Sequence, residues 1–246
     1  GPAPDAVCVG VTSEAREIRL PVDIIVLPDE SGSMGPARDS VAAAMQGVVR
    51  DVLEASLVDY RVIWHGSTPL PALAGRVFYN SVLLGSGPDA MFRPVLDTYG
   101  AWSPMLRPDA QKVFVHFTDA TSGDGGSITG YSGMFDQVLF GLDAAVWGDA
   151  SAPRFVYHTF IGLPARTPIE LPYEPTDPIE TGPTCDGSFV NAIPLQEMAI
   201  RTGGLRFPLC YFDSFASVFR RIAEAAVLRS VVACELELPD PPAGMT

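Results

Sequence analysis

Short apolar runs alternate with amphipathic segments along most of the chain, and this alternation restricts the fold more than any other feature. The runs at 22–27 (VDIIVL), 112–118 (KVFVHFT) and 154–162 (RFVYHTFIG) are rich in β-branched and aromatic residues, as expected of strands buried on both faces. The segments at 35–56 and 214–230 have the apolar spacing of amphipathic helices. Together they predict an α/β fold, with a doubly wound, mainly parallel sheet and helices on both faces.

The rest of the pattern completes the same architecture. Further strands are predicted at 59–65, 75–84, 204–209 and 231–239, and further helices at 88–99, 134–147 and 191–203. The strand at 75–84 follows its predecessor across a Pro/Gly-containing turn, so we expect it to be an antiparallel edge strand. The 246 residues predict one domain over 1–246, with a core at about 20–230.

Composition excludes several classes of function. The formal net charge of −13 argues against nucleic-acid binding, because phosphates require a face rich in lysine and arginine. The sequence contains no apolar run long enough to span a bilayer. An acidic surface favours solubility and can attract cations.

A polar turn follows the first buried strand. In "DESGSM", residues 29–34, a carboxylate and two hydroxyls alternate at Asp29, Ser31 and Ser33. Alternate residues of an extended turn point the same way, and ligands of doubly wound sheets bind beyond the carboxyl ends of the strands. Hard oxygen ligands suit Mg²⁺ or Ca²⁺ better than zinc or copper. The turn therefore predicts a divalent-cation site.

This turn resembles the Asp-x-Ser-x-Ser signature of von Willebrand factor type A domains, which include the inserted domains of integrins. In "VFVHFTDATSG", Asp119 ends an apolar strand at the position of that family's second metal-site aspartate. The succession of elements fits the family over about 20–230, and the segments "GAWSPMLRPDAQKVFVHFTD" and "RTGGLRFPLC" are similar to exported bacterial members.

The resemblance implies a metal-ion-dependent adhesion site (MIDAS) formed by Asp29, Ser31, Ser33 and Asp119 with a hydroxyl from a second loop. Mg²⁺ is the expected ion, with Mn²⁺ and Ca²⁺ as alternatives. In the family, an acidic side chain of a protein ligand completes the coordination of the ion. The implied function is thus adhesion or ligand capture, in which no bond is broken, and the protein is not expected to be an enzyme.

Two serines are candidates for the second-loop hydroxyl, which is usually threonine in the family. Ser86 forms a capping box with Asp89, which already explains its presence. With 75–84 as an antiparallel strand, the helix 88–99 would bring Ser103 to the metal end of the sheet. We therefore prefer Ser103, and Ser86 stays as the alternative.

The four cysteines, Cys8, Cys185, Cys210 and Cys234, contain no C-x-x-C pair, which argues against zinc. An even number at wide spacing favours two disulfides in an exported protein, extracellular, periplasmic or on the outer surface, with lipid anchoring of a precursor left open. Four buried thiols in a cytosolic protein are the alternative. The predicted topology favours the pairs Cys8–Cys234 and Cys185–Cys210.

Two other functions compete with adhesion. One is a structural or interaction module in which the metal site is degenerate. The other is a metal-assisted hydrolase, although no G-x-S-x-G elbow surrounds Ser31 or Ser33. The proline-rich segment 162–187 is either a surface excursion or a functional loop whose acids restrict access to the ion.

Overall fold

The structure is a computed structural model that describes residues 18–85, 88–119, 131–182, 184–185, 190–211 and 214–232. Within these ranges the strands are β1 Ile18–Arg19, β2 Val22–Pro28, β3 Tyr60–His65, β4 Val77–Asn80, β5 Gln111–Phe117, β6 Phe155–Ile161, β7 Arg206–Pro208 and β8 Val231–Val232. The helices are α1 Gly35–Ala44, α2 Arg50–Ala55, α3 Pro88–Asp97, α4 Tyr99–Trp102, α5 Tyr131–Leu142, α6 Ala144–Trp147, α7 Ile193–Arg201 and α8 Phe215–Ser230.

The main sheet has six strands in the order β4-β3-β2-β5-β6-β7, and every neighbouring pair is parallel. This confirms the predicted doubly wound α/β fold. The chain proceeds outward from β2 through β3 to β4, then returns to place β5 on the other side of β2. The winding direction therefore reverses between β2 and β5, which is where such sheets bind ligands. The short strands β1 and β8 pair antiparallel in a separate ladder.

The central strand β2 is buried along its whole length because helices cover both faces of the sheet. Val22, Ile24 and Val26 pack into a core with α1, α2 and α8. Ile25 and Leu27 point the other way, into a core with α3, α5 and α7. Burial on both faces explains why the strand reads as a continuous apolar run rather than an alternating one.

The prediction of an antiparallel edge strand is wrong. The edge strand β4 pairs with β3 in parallel, with Val62 opposite Val77 and His65 opposite Asn80. The connection at 66–76 is not a tight turn: it contains a 3₁₀ turn at Pro71–Leu73 and returns the chain to the amino edge of the sheet. β4 therefore runs in the same direction as β3 and ends at the carboxyl edge.

Two helices differ from the sequence pattern. α3 continues through Pro94, a residue type that usually bends or breaks a helix. The predicted helix at 134–147 is divided into α5 and α6, because the Asp143 side chain accepts the backbone N–H groups of Ala145 and Val146 and caps a new helix. None of the helices in the described ranges is both long and apolar enough to cross a membrane.

The proline-rich segment packs along the edge of the sheet instead of extending into solvent. Tyr173 forms an antiparallel bridge to Arg206 of the edge strand β7. The Arg206 side chain is fully buried, and its guanidinium donates to the backbone carbonyls of Glu174, Asp177 and Pro178, at 2.8, 2.8 and 3.0 Å. This arrangement covers an otherwise exposed strand edge.

Candidate functional site

The predicted metal-site residues that follow β2 and β5 lie at the reversal point of the sheet. Asp29 follows β2, and Thr118 and Asp119 follow β5, two strands that pair in register from Val22 to Pro28. The Asp29 N–H donates to the carbonyl of Phe117 at 3.0 Å. The structure therefore brings the two loops together at the carboxyl edge of the central strands.

The Asp29 carboxylate is 1 % exposed and has a protein donor on each oxygen. Oδ1 accepts the backbone N–H of Ser31 at 2.8 Å, and Oδ2 accepts the hydroxyl of Thr118 at 2.6 Å. These bonds fix the orientation of the carboxylate and compensate for its removal from water. Each oxygen retains a second acceptor direction, which can face a cation or a cation-bound water.

The two serines lie on one short turn. The hydroxyls of Ser31 and Ser33 are 3.3 Å apart, so their oxygens can contact one ion. Residues Gly32–Met34 form a 3₁₀ turn, in which the N–H of Met34 donates to the carbonyl of Ser31 at 3.1 Å. Met34 is 2 % exposed and packs in the core under α1 and α8. A buried anchor thus holds the turn that carries the two hydroxyls.

Asp119, directly after Thr118, is 5 % exposed. The candidate donor set consists of two carboxylates and two hydroxyls on neighbouring loops, a composition that suits a hard cation such as Mg²⁺. In the described ranges no three His, Cys, Asp or Glu side chains come together as a metal-binding group. The candidate set differs from such groups because hydroxyls make up half of it.

The structure removes the reason for preferring Ser103 as the second-loop ligand. That preference required an antiparallel β4, and β4 is parallel. Ser103 starts a 3₁₀ turn two residues before Met105, whose carbonyl accepts Arg61 near the start of β3 at 3.1 Å. From this turn the chain leads through 106–110 to the start of β5, at the amino edge of the sheet. Ser86 lies outside the described residues, so the identity of this ligand stays a prediction.

Three loops converge on Glu30, between Asp29 and Ser31. The Glu30 N–H donates to the carbonyl of Leu84 at 2.7 Å, after β4. Its Oε1 accepts the N–H of Ser67, after β3, at 3.2 Å. A cleft of about 350 Å³ lies here, bounded by Glu30, Ser67, the half-exposed Arg38 and the 75 % exposed Leu83. A parallel β4 is what brings the 81–85 loop beside the candidate site.

The three histidines lie inside the fold. The Nδ1 atom of His65 is 3.1 Å from the amide nitrogen of Asn80. His116 contacts the hydroxyl of Tyr157 through Nδ1. The Nδ1 atom of His158 accepts the N–H of Leu205 at 3.0 Å, and burial lowers the pKa of all three imidazoles to about 3. They are neutral core residues, with no contact to either candidate serine among the described hydrogen bonds.

The predicted Cys185–Cys210 disulfide is present, with the Cα atoms 5.9 Å apart. It ties the end of the proline-rich segment to the turn directly after β7. Of the acids on that segment, Asp177 is paired with Arg166 at 2.9 Å. Cys8 and Cys234, the other predicted pair, lie outside the described residues.

Thr118 is the site residue that the sequence reasoning missed. It is fully buried, and its hydroxyl contacts the first-loop carboxylate directly. The available signal was its position: a hydroxyl residue immediately before Asp119, at the end of a buried strand. A threonine that ends a strand at the reversal point is well placed to contact the loop of the neighbouring strand.

Comparisons with known proteins add little to this description. No protein-family model matches the chain, and no characterised protein matches its sequence. Among solved structures, it is similar to proximal thread matrix protein 1 from the mussel byssus, at 14 % identity and a TM-score of 0.42. The match covers 87 % of this chain and 50 % of that one, so the chain spans half of that protein's length. A likeness at this level carries no argument about function.

Proposed function

We propose that the protein binds a divalent cation, with Mg²⁺ the expected ion, through Asp29, Ser31, Ser33 and Asp119, and thereby captures an acidic side chain of a protein ligand. The observation that carries the proposal is the hydrogen bond from Thr118 to Asp29, which joins the two candidate loops at the reversal point of the sheet. All these groups offer hard oxygens.

Each side chain has a distinct role in this proposal. Ser31 and Ser33 offer neutral oxygens from one turn, and Asp119 offers a charged oxygen from the neighbouring loop. Asp29 is held by two donors, which favours contact with the ion through its remaining acceptor directions or through water. The bound cation supplies a coordination position for a carboxylate of the ligand. The Cys185–Cys210 disulfide is consistent with an oxidising compartment and supports the further proposal of an exported protein.

Isothermal titration calorimetry of chelator-treated protein tests the cation site. We expect saturable binding of MgCl₂ or MnCl₂, and at least a tenfold loss of affinity in Asp29→Asn and Asp119→Asn. Asp51→Asn is the matched control: its carboxylate is exposed and paired with Arg50 on α2, so its affinity should equal that of the parent. Melting temperatures establish that the variants are folded. Absence of saturable binding of Mg²⁺, Mn²⁺ and Ca²⁺ to the folded parent would contradict the proposal.

A further inference from the structure

A second cleft lies at the opposite, amino edge of the sheet, far along the strands from Asp29. It encloses about 460 Å³ between the start of β5, the start of β6 and the end of α8. Its charged lining residues are Lys112, Arg154, Arg229 and Asp109. Three cations and one anion give this basic cleft a local charge of +2, on a chain whose formal net charge is −13.

The two arginines are not neutralised by carboxylates of the described chain. Arg154 donates to the carbonyl of Ala145 at 2.8 Å, and Arg229 donates to the carbonyl of Gly203 at 2.7 Å. Neither forms an ion pair with a described Asp or Glu. Among the described residues, each guanidinium thus donates to one backbone carbonyl. A guanidinium has five donors in a planar fork that matches oxyanions.

Lys112 adds a buried positive charge beside the cleft. The side chain is 1 % exposed, and its ammonium donates to the carbonyls of Arg107, Pro108 and Ala110 at 2.8, 3.0 and 2.7 Å. Burial lowers the pKa of Lys112; the carboxylates of Asp23 and Asp109 oppose this effect, and the charges of Arg107 and Arg154 add to it. The nearby Arg107 does not add to the excess, since it is paired with Asp23 and Asp59.

An unsatisfied amide completes the lining. The Oε1 atom of Gln111 is buried without a hydrogen-bond partner, and the residue lines the basic cleft. The amide is thus a polar group of the lining whose oxygen has no partner in the described structure. The cleft combines excess positive charge with the guanidinium donors of Arg154 and Arg229.

We propose that the basic cleft binds a tetrahedral oxyanion of the phosphate or sulfate class, held mainly by Arg154 and Arg229. A dianion matches the local charge of +2, and arginine pairs with such groups through two parallel N–H···O bonds. Lys112 contributes through its field, because its ammonium protons are already engaged. This site is independent of the proposed cation site, which lies at the carboxyl edge.

The test is an amide chemical-shift titration of chelator-treated protein with sodium phosphate and sodium sulfate, with sodium chloride at equal ionic strength as the reference. Without divalent ions, the result does not depend on the proposed cation site. We expect saturable shifts with phosphate and sulfate around the start of β5, and none with chloride. Arg154→Gln/Arg229→Gln should weaken binding at least tenfold, whereas Arg50→Gln, which removes a partly exposed arginine on α2, should leave it unchanged.

Two results overturn the proposal: shifts with chloride equal to those with phosphate and sulfate, or unaltered oxyanion binding in the double variant. If the double variant does not fold, the single variants Arg154→Gln and Arg229→Gln decide instead. Each removes one guanidinium and should weaken binding about threefold or more, since each arginine carries part of the contact. Equal affinity in both single variants and the parent would then overturn the proposal.

Discussion

Acid should destabilise this protein at a pH well above that at which ordinary carboxylates titrate, and the buried histidines are the cause. His65, His116 and His158 are almost fully buried, and burial lowers the pKa of each from 6.5 to about 3. In the unfolded chain they regain their ordinary pKa. Between these two values, the unfolded state binds up to three more protons than the folded state. The free energy of unfolding must therefore decrease as the pH falls below 6.5.

The magnitude follows from the size of the shifts. Each histidine costs about 1.4 kcal/mol per pH unit below its unfolded pKa, and so about 2 kcal/mol at pH 5. Three histidines give about 6 kcal/mol, comparable with the 5–15 kcal/mol by which folded domains are typically stable. We expect the loss to begin near pH 6.5 and to be severe by pH 5. Carboxylates such as Asp149 and Asp177, whose pKa values are lowered by hydrogen bonds, act only at lower pH.

Urea unfolding followed by tryptophan fluorescence at pH 8, 7, 6, 5.5 and 5 measures this dependence. His65→Gln retains an acceptor for Asn80 but cannot be protonated. Whatever its effect on absolute stability, it should reduce the slope of unfolding free energy against pH by about one third, as one of three equivalent sites. Glu224→Gln, an exposed change on α8, should leave the slope above pH 5 unaltered. An equal slope in His65→Gln and the parent would refute the reasoning.

Three further predictions concern single side chains. Leu57 follows α2, is 89 % exposed and has a left-handed backbone, with φ = 56°. Because this conformation strains a residue with a Cβ but not glycine, Leu57→Gly should raise the free energy of unfolding by about 1 kcal/mol. An unchanged or lower urea midpoint would contradict this. Arg206→Met should lower the free energy of unfolding by about 3 kcal/mol, because four acceptors at the buried guanidinium lose a charged donor. A loss below about 1 kcal/mol would mean that the proline-rich segment is held by other contacts. Thr118→Val should weaken Mg²⁺ binding severalfold in calorimetry, whereas Thr118→Ser should retain it, because only valine lacks the hydroxyl that donates to Asp29. Equal affinity in both variants would show that this hydrogen bond does not position the carboxylate.

The sequence was sufficient to predict the sheet and its central strands. Continuous apolar runs such as 22–27 have few structural alternatives once helices cover both faces. The turn with Asp29 and the end of β5 with Asp119 were predictable for the same reason, since each follows a strongly marked strand. Their proximity was implied by the family resemblance, and in the structure the N–H of Asp29 donates to the carbonyl of Phe117, the residue before Thr118.

What the sequence did not predict depends on weakly marked or long-range features. β4 has only four residues, too few for its apolar pattern to indicate whether it runs parallel or antiparallel to β3. The connection between β3 and β4 contains glycine and proline, as a tight turn would. The wrong direction of β4 in turn led to the preference for Ser103. Arg206 is similar: its guanidinium binds carbonyls 28 to 32 residues away, and nothing in the local pattern marks an arginine as fully buried.

The most direct test of the proposed cation site is crystallographic. Crystals of the protein soaked in MnCl₂ should show an anomalous-difference peak between the hydroxyls of Ser31 and Ser33 and the carboxylates of Asp29 and Asp119, and Asp29→Asn crystals should lack it. A peak only at other positions, or no peak in well-diffracting parent crystals at saturating Mn²⁺, would contradict the central claim that these two loops hold a divalent ion.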